Sequence, residues 1–129
     1  MILLALECSS SRRSVALWED GAVRAEAAHT GRGCPPLTRM LDDVLRARRR
    51  QAAEVDSLAI GLGPGSYAGI RSAIAAAQGL ELVRPLQVVG IGSFDACALR
   101  CQRHGLRGPL AVASDALRGE IYLAEFDLA

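Results

Sequence analysis

The sequence predicts an α/β fold, a mixed β-sheet carrying helices, in the element order βββαβαβα with a β-hairpin after it. Three observations lead there. A turn signal at Asp20-Gly21 joins two short segments directly behind an apolar opening strand. Beyond residue 36, helical periodicity and short apolar strands alternate, as in right-handed crossovers onto a sheet. The 129 residues suffice for one domain with its own core and are too few for two complete ones.

Each element has its own justification. ILLALE at 2–7 is short and apolar, the make-up of a strand, and SVALWED and AVRAEAAH continue it as an antiparallel meander through Asp20-Gly21. After the loop TGRGCPP, residues Leu37, Met40, Leu41, Val44 and Leu45 recur at i, i+3, i+4, i+7 and i+8, the stripe of an amphipathic helix. Pro35 and Pro36 suit its start, and RARRR at 46–50 closes it, cations being favoured at the negative end of the helix dipole. VDSLAIG at 55–61 is a strand, a helix runs from about Ala68 to Val83, and LQVVGI at 86–91 is another strand. Ser93 is the expected N-cap of a third helix carrying FDACALRCQRH. The last twenty residues read as a hairpin around Arg118-Gly119; a lone hairpin is marginal in water and needs something to lie against.

Composition excludes several chemistries. Half of the chain is hydrophobic, 4% is aromatic and the formal net charge is +1, which argues against disorder and against a strongly basic nucleic-acid surface. All basic residues are arginine, so no lysine nucleophile and no Walker A lysine exist. No apolar run reaches membrane-spanning length, and Met1 leads straight into ILLALE without the basic start of a signal peptide. A cytoplasmic protein is therefore expected. Cys8, Cys34, Cys97 and Cys101 fit no disulfide-scaffold spacing, so free thiols are expected.

The stretch GLGPGSYAGIRSAIAAAQGL at 61–80 is the most distinctive. Gly63, Gly65 and Ala68 match G-x-G-x-x-G/A on paper, but Pro64 stiffens the turn, three strands precede it and no acid ends the next strand. A tight strand-to-helix junction explains Gly61, Gly63, Pro64, Gly65, Ser66 and Gly69, with Ser66 as N-cap and the glycines permitting close backbone approach. A nucleotide-binding, kinase-like lobe using Glu7 to Ser10 and Gly63 to Ser66 stays as the alternative. In the helix beyond, Ile70, Ala73, Ile74, Ala77 and Leu80 share a face, while Ala75, Ala76, Gly79 and Leu82 largely fill the remainder. A helix apolar nearly all round needs cover on two sides, the sheet on one and a second molecule on the other. An alanine-rich helix tolerated at the surface is the plainer reading.

Other residue groups have two readings each. Cys97, Cys101 and His104 fall at i, i+4 and i+7, spaced either to hold a metal or as buried thiols beside a helix-end histidine. Zinc peptidase chemistry needs paired ligands, and His29 and His104 are the only histidines. Arg46, Arg48, Arg49 and Arg50 suit a solvated helix terminus or, alternatively, nucleic-acid phosphates. Trp18, Tyr67 and Tyr122 are not interleaved with basic residues and read as packing groups. No Ser-His-Asp ordering or carboxylate pair is evident, so no catalytic residue, cofactor site or metal site is assigned.

ILLALECSSSRRSVALWEDG, the 61–80 stretch, VVGIGSFDACA and DALRGEIYLAEF together resemble the TsaB (YeaZ-like) family in the right order over nearly the whole chain, a family also labelled M22 glycoprotease. The core GPGS-aromatic-x-G-[ILV]-R is the most specific element. The resemblance implies an actin-like/RNase H-like ATPase (ASKHA) lobe at 1–106, with 107–129 as the hairpin start of a truncated second lobe. It implies a non-catalytic, cytoplasmic subunit without cofactor that homodimerises and pairs with a TsaD-like catalytic subunit placing threonylcarbamoyl on adenosine in tRNA, which it meets only indirectly. The helices at about 36–48 and 67–83 would form the interface through Leu37, Met40, Leu41, Val44, Tyr67, Ile70, Arg71, Ile74, Ala75, Gln78 and Leu82. Three departures stand out. Glu7-Cys8 replaces the family's Asp-Thr and is placed to cap the turn, Gly33-Cys34 stands where a His-Ser/Thr pair is common, and members are roughly twice as long.

Overall fold

A computed structural model describes residues 1–129. The meander forms as expected: β1 (Ile2–Glu7), β2 (Arg12–Glu19) and β3 (Ala22–Thr30) pair antiparallel. Asp20 and Gly21 both take positive φ, 51° and 78°, which matches the twist of a two-residue hairpin. The helix α1 (Leu37–Ala47) follows, then a 3₁₀ turn at Ala52–Glu54. The strand β4 (Ser57–Gly61), helix α2 (Tyr67–Glu81) and strand β5 (Gln87–Ile91) complete a five-stranded mixed sheet of order β3-β2-β1-β4-β5, with β1, β4 and β5 parallel. The helix α3 (Ser93–Arg103) leads into β6 (Gly108–Leu117) and β7 (Glu120–Leu128), an antiparallel two-stranded sheet of its own. No helix is long and apolar enough to cross a membrane.

Register explains the core. Leu4 stands opposite Leu17 on one side and Leu58 on the other, and Leu6 opposite Val15 and Ile60, so alternate residues line one face. Leu37, Met40, Leu41, Val44 and Leu45 of α1, with Ala73 and Ala77 of α2, close over that face and bury it. Each fully buried leucine there contributes roughly 1.5–3 kcal/mol through removal from water. The opposite face has no such cover: Leu3, Ala5 and Trp18 are half-buried, while Val89 and Ile91 are exposed. The packing partners of α3 are β6 and β7, which gives the hairpin the support it needs; Leu110, Val112, Ala124 and Phe126 are half-buried in it.

Arg50 departs from the expected solvated terminus. The helix ends at Ala47, Arg48 is its C-cap and Arg49 takes φ 52°, which swings Arg50 back against the sheet. There it pairs with Glu19, the buried last residue of β2, and with Glu54 at 3.0 Å. Hydrogen bonds to Glu19 and then Glu54 raise its pKa further above the usual arginine range. The pair ties the end of α1 to the end of β2. Only Arg46, bridged to Asp42 at 2.9 Å, occupies the last turn as a helix-end cation.

Leu4 is fully buried between Leu17 and Leu58. Leu4→Ala should lower stability by about 2–5 kcal/mol through lost burial and a residual cavity. Val23→Ala, at an exposed β3 position, should stay within about 0.5 kcal/mol. Urea midpoints of the two variants against the parent chain check both.

Candidate functional site

The glycine junction is held by a closed set of hydrogen bonds. Ser66 caps α2, its hydroxyl accepting from the Gly69 N–H at 3.1 Å, and the Ser66 N–H donates to the Ser9 carbonyl at 2.6 Å. A Cβ at Gly65 would run into the Ser9 backbone, and one at Gly69 into the Cys8 carbonyl. Close approach of the loop after β1 therefore requires glycine at both positions. Gly63, at φ 81°, adds the left-handed turn that a side chain rarely adopts.

Glu7 ties this junction to α3. One carboxylate oxygen accepts from the Ser9 N–H at 2.7 Å, and the other accepts from the Ser93 hydroxyl at 2.7 Å. The Ser93 oxygen also accepts from the Gly63 N–H at 3.1 Å and lies 3.0 Å from the Ser9 hydroxyl. The carboxylate rests over Gly61, where a Cβ would displace it. Ser93 is consequently not the N-cap of α3: Gly92 is, because the hydroxyl turns away to the carboxylate and the Gly63 amide. Glu7 does cap its own turn, as its position at the strand end suggests. Sequence spacing does not reveal the Ser93 contact, since 86 residues separate the partners.

This arrangement bears on the nucleotide alternative. Phosphate cradles need free backbone N–H groups aimed at the ligand. Here those of Ser9, Gly63, Ser66 and Gly69 are engaged inside the chain, those of Gly65, Tyr67 and Ala68 make no hydrogen bond, and the Glu7 carboxylate stands beside them. Outside it lies an open cleft of about 1620 Å³, bounded by the β1–β2 and β3–α1 loops, the start of α2, α3 and the hairpin.

The thiols are free and differently placed. Burial pushes the Cys8 thiol up, partly offset by Arg13, and burial with the neighbouring Cys101 pushes Cys97 up. Cys97 is exposed and Cys101 half-buried, so the buried reading of that pair is only partly met. His104 is the C-cap of α3, and nowhere do three His, Cys, Asp or Glu side chains gather to hold a metal.

A second concavity of about 850 Å³ runs between α1 and α2, with Leu41, Leu45, Ala75, Ala76, Gly79 and Leu80 along it. Of the residues expected to meet a partner, Leu37, Met40, Leu41 and Val44 are buried against the chain's own sheet, because the α1 stripe closes the core. Leu37 and Leu41 still reach the edge of the concavity, and Ile70 is half-buried. Tyr67, Arg71, Ile74, Ala75, Gln78 and Leu82 are exposed, Tyr67 at 76% and Leu82 at 89%. Only Gly69, Ala73 and Ala77 of α2 are buried, so the chain covers that helix on one side alone. Tyr67 is thus not a packing group; Arg71 lies over its ring at 5.5 Å.

Residues 28–129 match the family described as TsaD, tRNA N6-adenosine threonylcarbamoyltransferase. The tRNA threonylcarbamoyladenosine biosynthesis protein TsaB of Escherichia coli is 35% identical over 98% of this chain and 55% of its own length. The protein of that name from Haemophilus influenzae is 33% identical, over 97% of this chain and 53% of its length. The solved structure of YeaZ from Pseudomonas aeruginosa superposes with a TM-score of 0.87 at 30% identity, over 99% of this chain and 60% of that one. The chain spans about half the length of the curated relatives it matches.

Ser93→Ala leaves the Glu7 carboxylate and the Gly63 N–H short of a partner and should cost about 1–3 kcal/mol, measured by thermal unfolding. Gly69→Ala forces a Cβ onto the Cys8 carbonyl and should cost about 1–3 kcal/mol. Gly79→Ala meets nothing within 4 Å and should gain about 0.5–1 kcal/mol. With a thiol reagent at mildly alkaline pH, Cys97 should react in the folded chain and Cys8 only after denaturation.

Proposed function

The chain belongs to the TsaD-type family on its TsaB (YeaZ-like) branch, and from that premise we propose that it is a non-catalytic scaffold subunit of tRNA threonylcarbamoyladenosine biosynthesis. In this reading it self-associates through α2 and the α1–α2 groove, and a TsaD-like catalytic subunit engages the same surface in the cytoplasm. Residues 107–129 open a second lobe.

The observation that carries the proposal is the uncovered side of α2. Ile74, Ala75, Gly79 and Leu82 face outward beside an apolar groove, and exposing a contiguous apolar strip of this kind is costly unless a neighbour covers it. Alanine and glycine along the strip let a second helix approach closely. The rim supplies both signs of charge, Asp42 and Arg46, for orienting that neighbour. The junction beside the strip favours a scaffold over a nucleotide-driven enzyme, since the Glu7 carboxylate stands among its backbone donors and repels a phosphate.

Gly79→Trp is the direct test, because the position is open and the fold has room for the new side chain. Light scattering at micromolar concentration should give a dimer for the parent chain, and the variant should dissociate at least about tenfold more readily. Co-purification from native extract should recover a TsaD-like protein with the parent chain and not with the variant. A monomeric parent chain that also captures no such protein would refute the scaffold reading.

A further inference from the structure

We propose that the 1620 Å³ cleft beside the glycine junction docks an RNA phosphodiester backbone, gripped by Arg13, Arg32 and Arg100. The inference rests on the proposed role in tRNA modification and adds to it a direct contact with the nucleic acid.

The three arginines come from β2, the β3–α1 loop and α3, so the fold gathers what the sequence scatters. None has a carboxylate within ion-pair distance, in contrast to Arg12, Arg39, Arg46, Arg50 and Arg84. The two carboxylates of the cleft lie outside ion-pair distance of these arginines, Glu7 accepting from the Ser9 N–H and the Ser93 hydroxyl and Asp115 from the Leu117 N–H, which leaves the cleft with an excess of one positive charge. Guanidinium groups match phosphate oxygens in a two-pronged geometry. Tyr67 and Tyr122, exposed at 76% and 43%, line the same cleft; Arg71 covers one face of the Tyr67 ring, and its other face and the Tyr122 ring are offered to bases.

The occupant is an extended polyanion and not a free nucleotide. At its inner end the cleft presents the Glu7 carboxylate, whose charge opposes a deeply bound triphosphate. Its volume also exceeds the roughly 300–1,000 Å³ of small-molecule pockets. A strand crossing the arginines, with bases turned to the tyrosines, uses the cationic side and leaves that carboxylate undisturbed.

The test uses fluorescence anisotropy of a short single-stranded RNA on the purified chain, across a salt series. Binding should weaken with salt, and the combined Arg13→Ala, Arg32→Ala, Arg100→Ala variant should lower the logarithmic salt slope by about 2, at roughly 0.7 per phosphate contact. Arg48→Ala, Arg49→Ala, Arg103→Ala removes three exposed arginines outside the cleft and should leave binding unchanged. Equal loss in both triple variants, no RNA binding by the parent chain at low salt, or displacement of RNA by ATP with Mg²⁺ would each overturn the proposal. Gly79→Trp should bind RNA like the parent. If association and partner capture fail while the cleft variant alone loses RNA, the scaffold reading falls and this one stands.

Discussion

The close approach between the loop after β1 and the start of α2 is the constraint on which the rest of the structure depends. Gly65 and Gly69 let the backbone of Cys8 and Ser9 come so near that no side chain fits between, and the Ser66 N–H to Ser9 carbonyl bond seals the contact. Glu7 then extends the junction to a third segment through Ser93. The Glu7–Ser93 bond is half-buried, and a polar group left unmatched there costs as much as several exposed contacts contribute. The direction of α2 and the beginning of α3 are set together as a result.

That fixed direction decides what the helices can cover. The sheet offers one face with long aliphatic side chains in register, and α1 and α2 together occupy it. Because α1 commits its apolar stripe to this core, the apolar surface left uncovered lies on α2 and along the groove edge. The alanine and glycine content of α2 serves both of its sides. Small residues pack flush on the sheet with Ala73 and Ala77, while the outer side stays flat enough for another helix. Meanwhile α3 turns from the sheet to the hairpin, and the space so left beside the junction is the cleft.

Charge is distributed with a similar division. Arginines near carboxylates serve the fold, most clearly Arg50, which neutralises the buried Glu19 and joins the end of α1 to β2. Those without partners lie on the rim of the cleft or in solvent. The cleft sets three arginines against two carboxylates, so its cations are set apart by position and not by a large net charge.

Much of the fold was legible in the residues themselves. Asp20-Gly21 announces the meander, the 3.6-residue stripe from Leu37 to Leu45 announces α1, and Ser66 announces the start of α2; each signal acts over a few neighbouring residues, where backbone preference and periodicity decide. The structural part of the glycine junction was legible for the same reason. What only tertiary structure decided involves partners distant along the chain. The Ser93 hydroxyl abandons its capping role for Glu7, Arg50 leaves the helix end for Glu19, and the α1 stripe that periodicity marks as apolar packs on the chain's own sheet. The convergence of Arg13, Arg32, Arg100 and the two tyrosines belongs here too. Local periodicity tells which side of a helix is apolar, but which surface meets that side, and which donor meets which acceptor, depends on the free energy of the assembled whole.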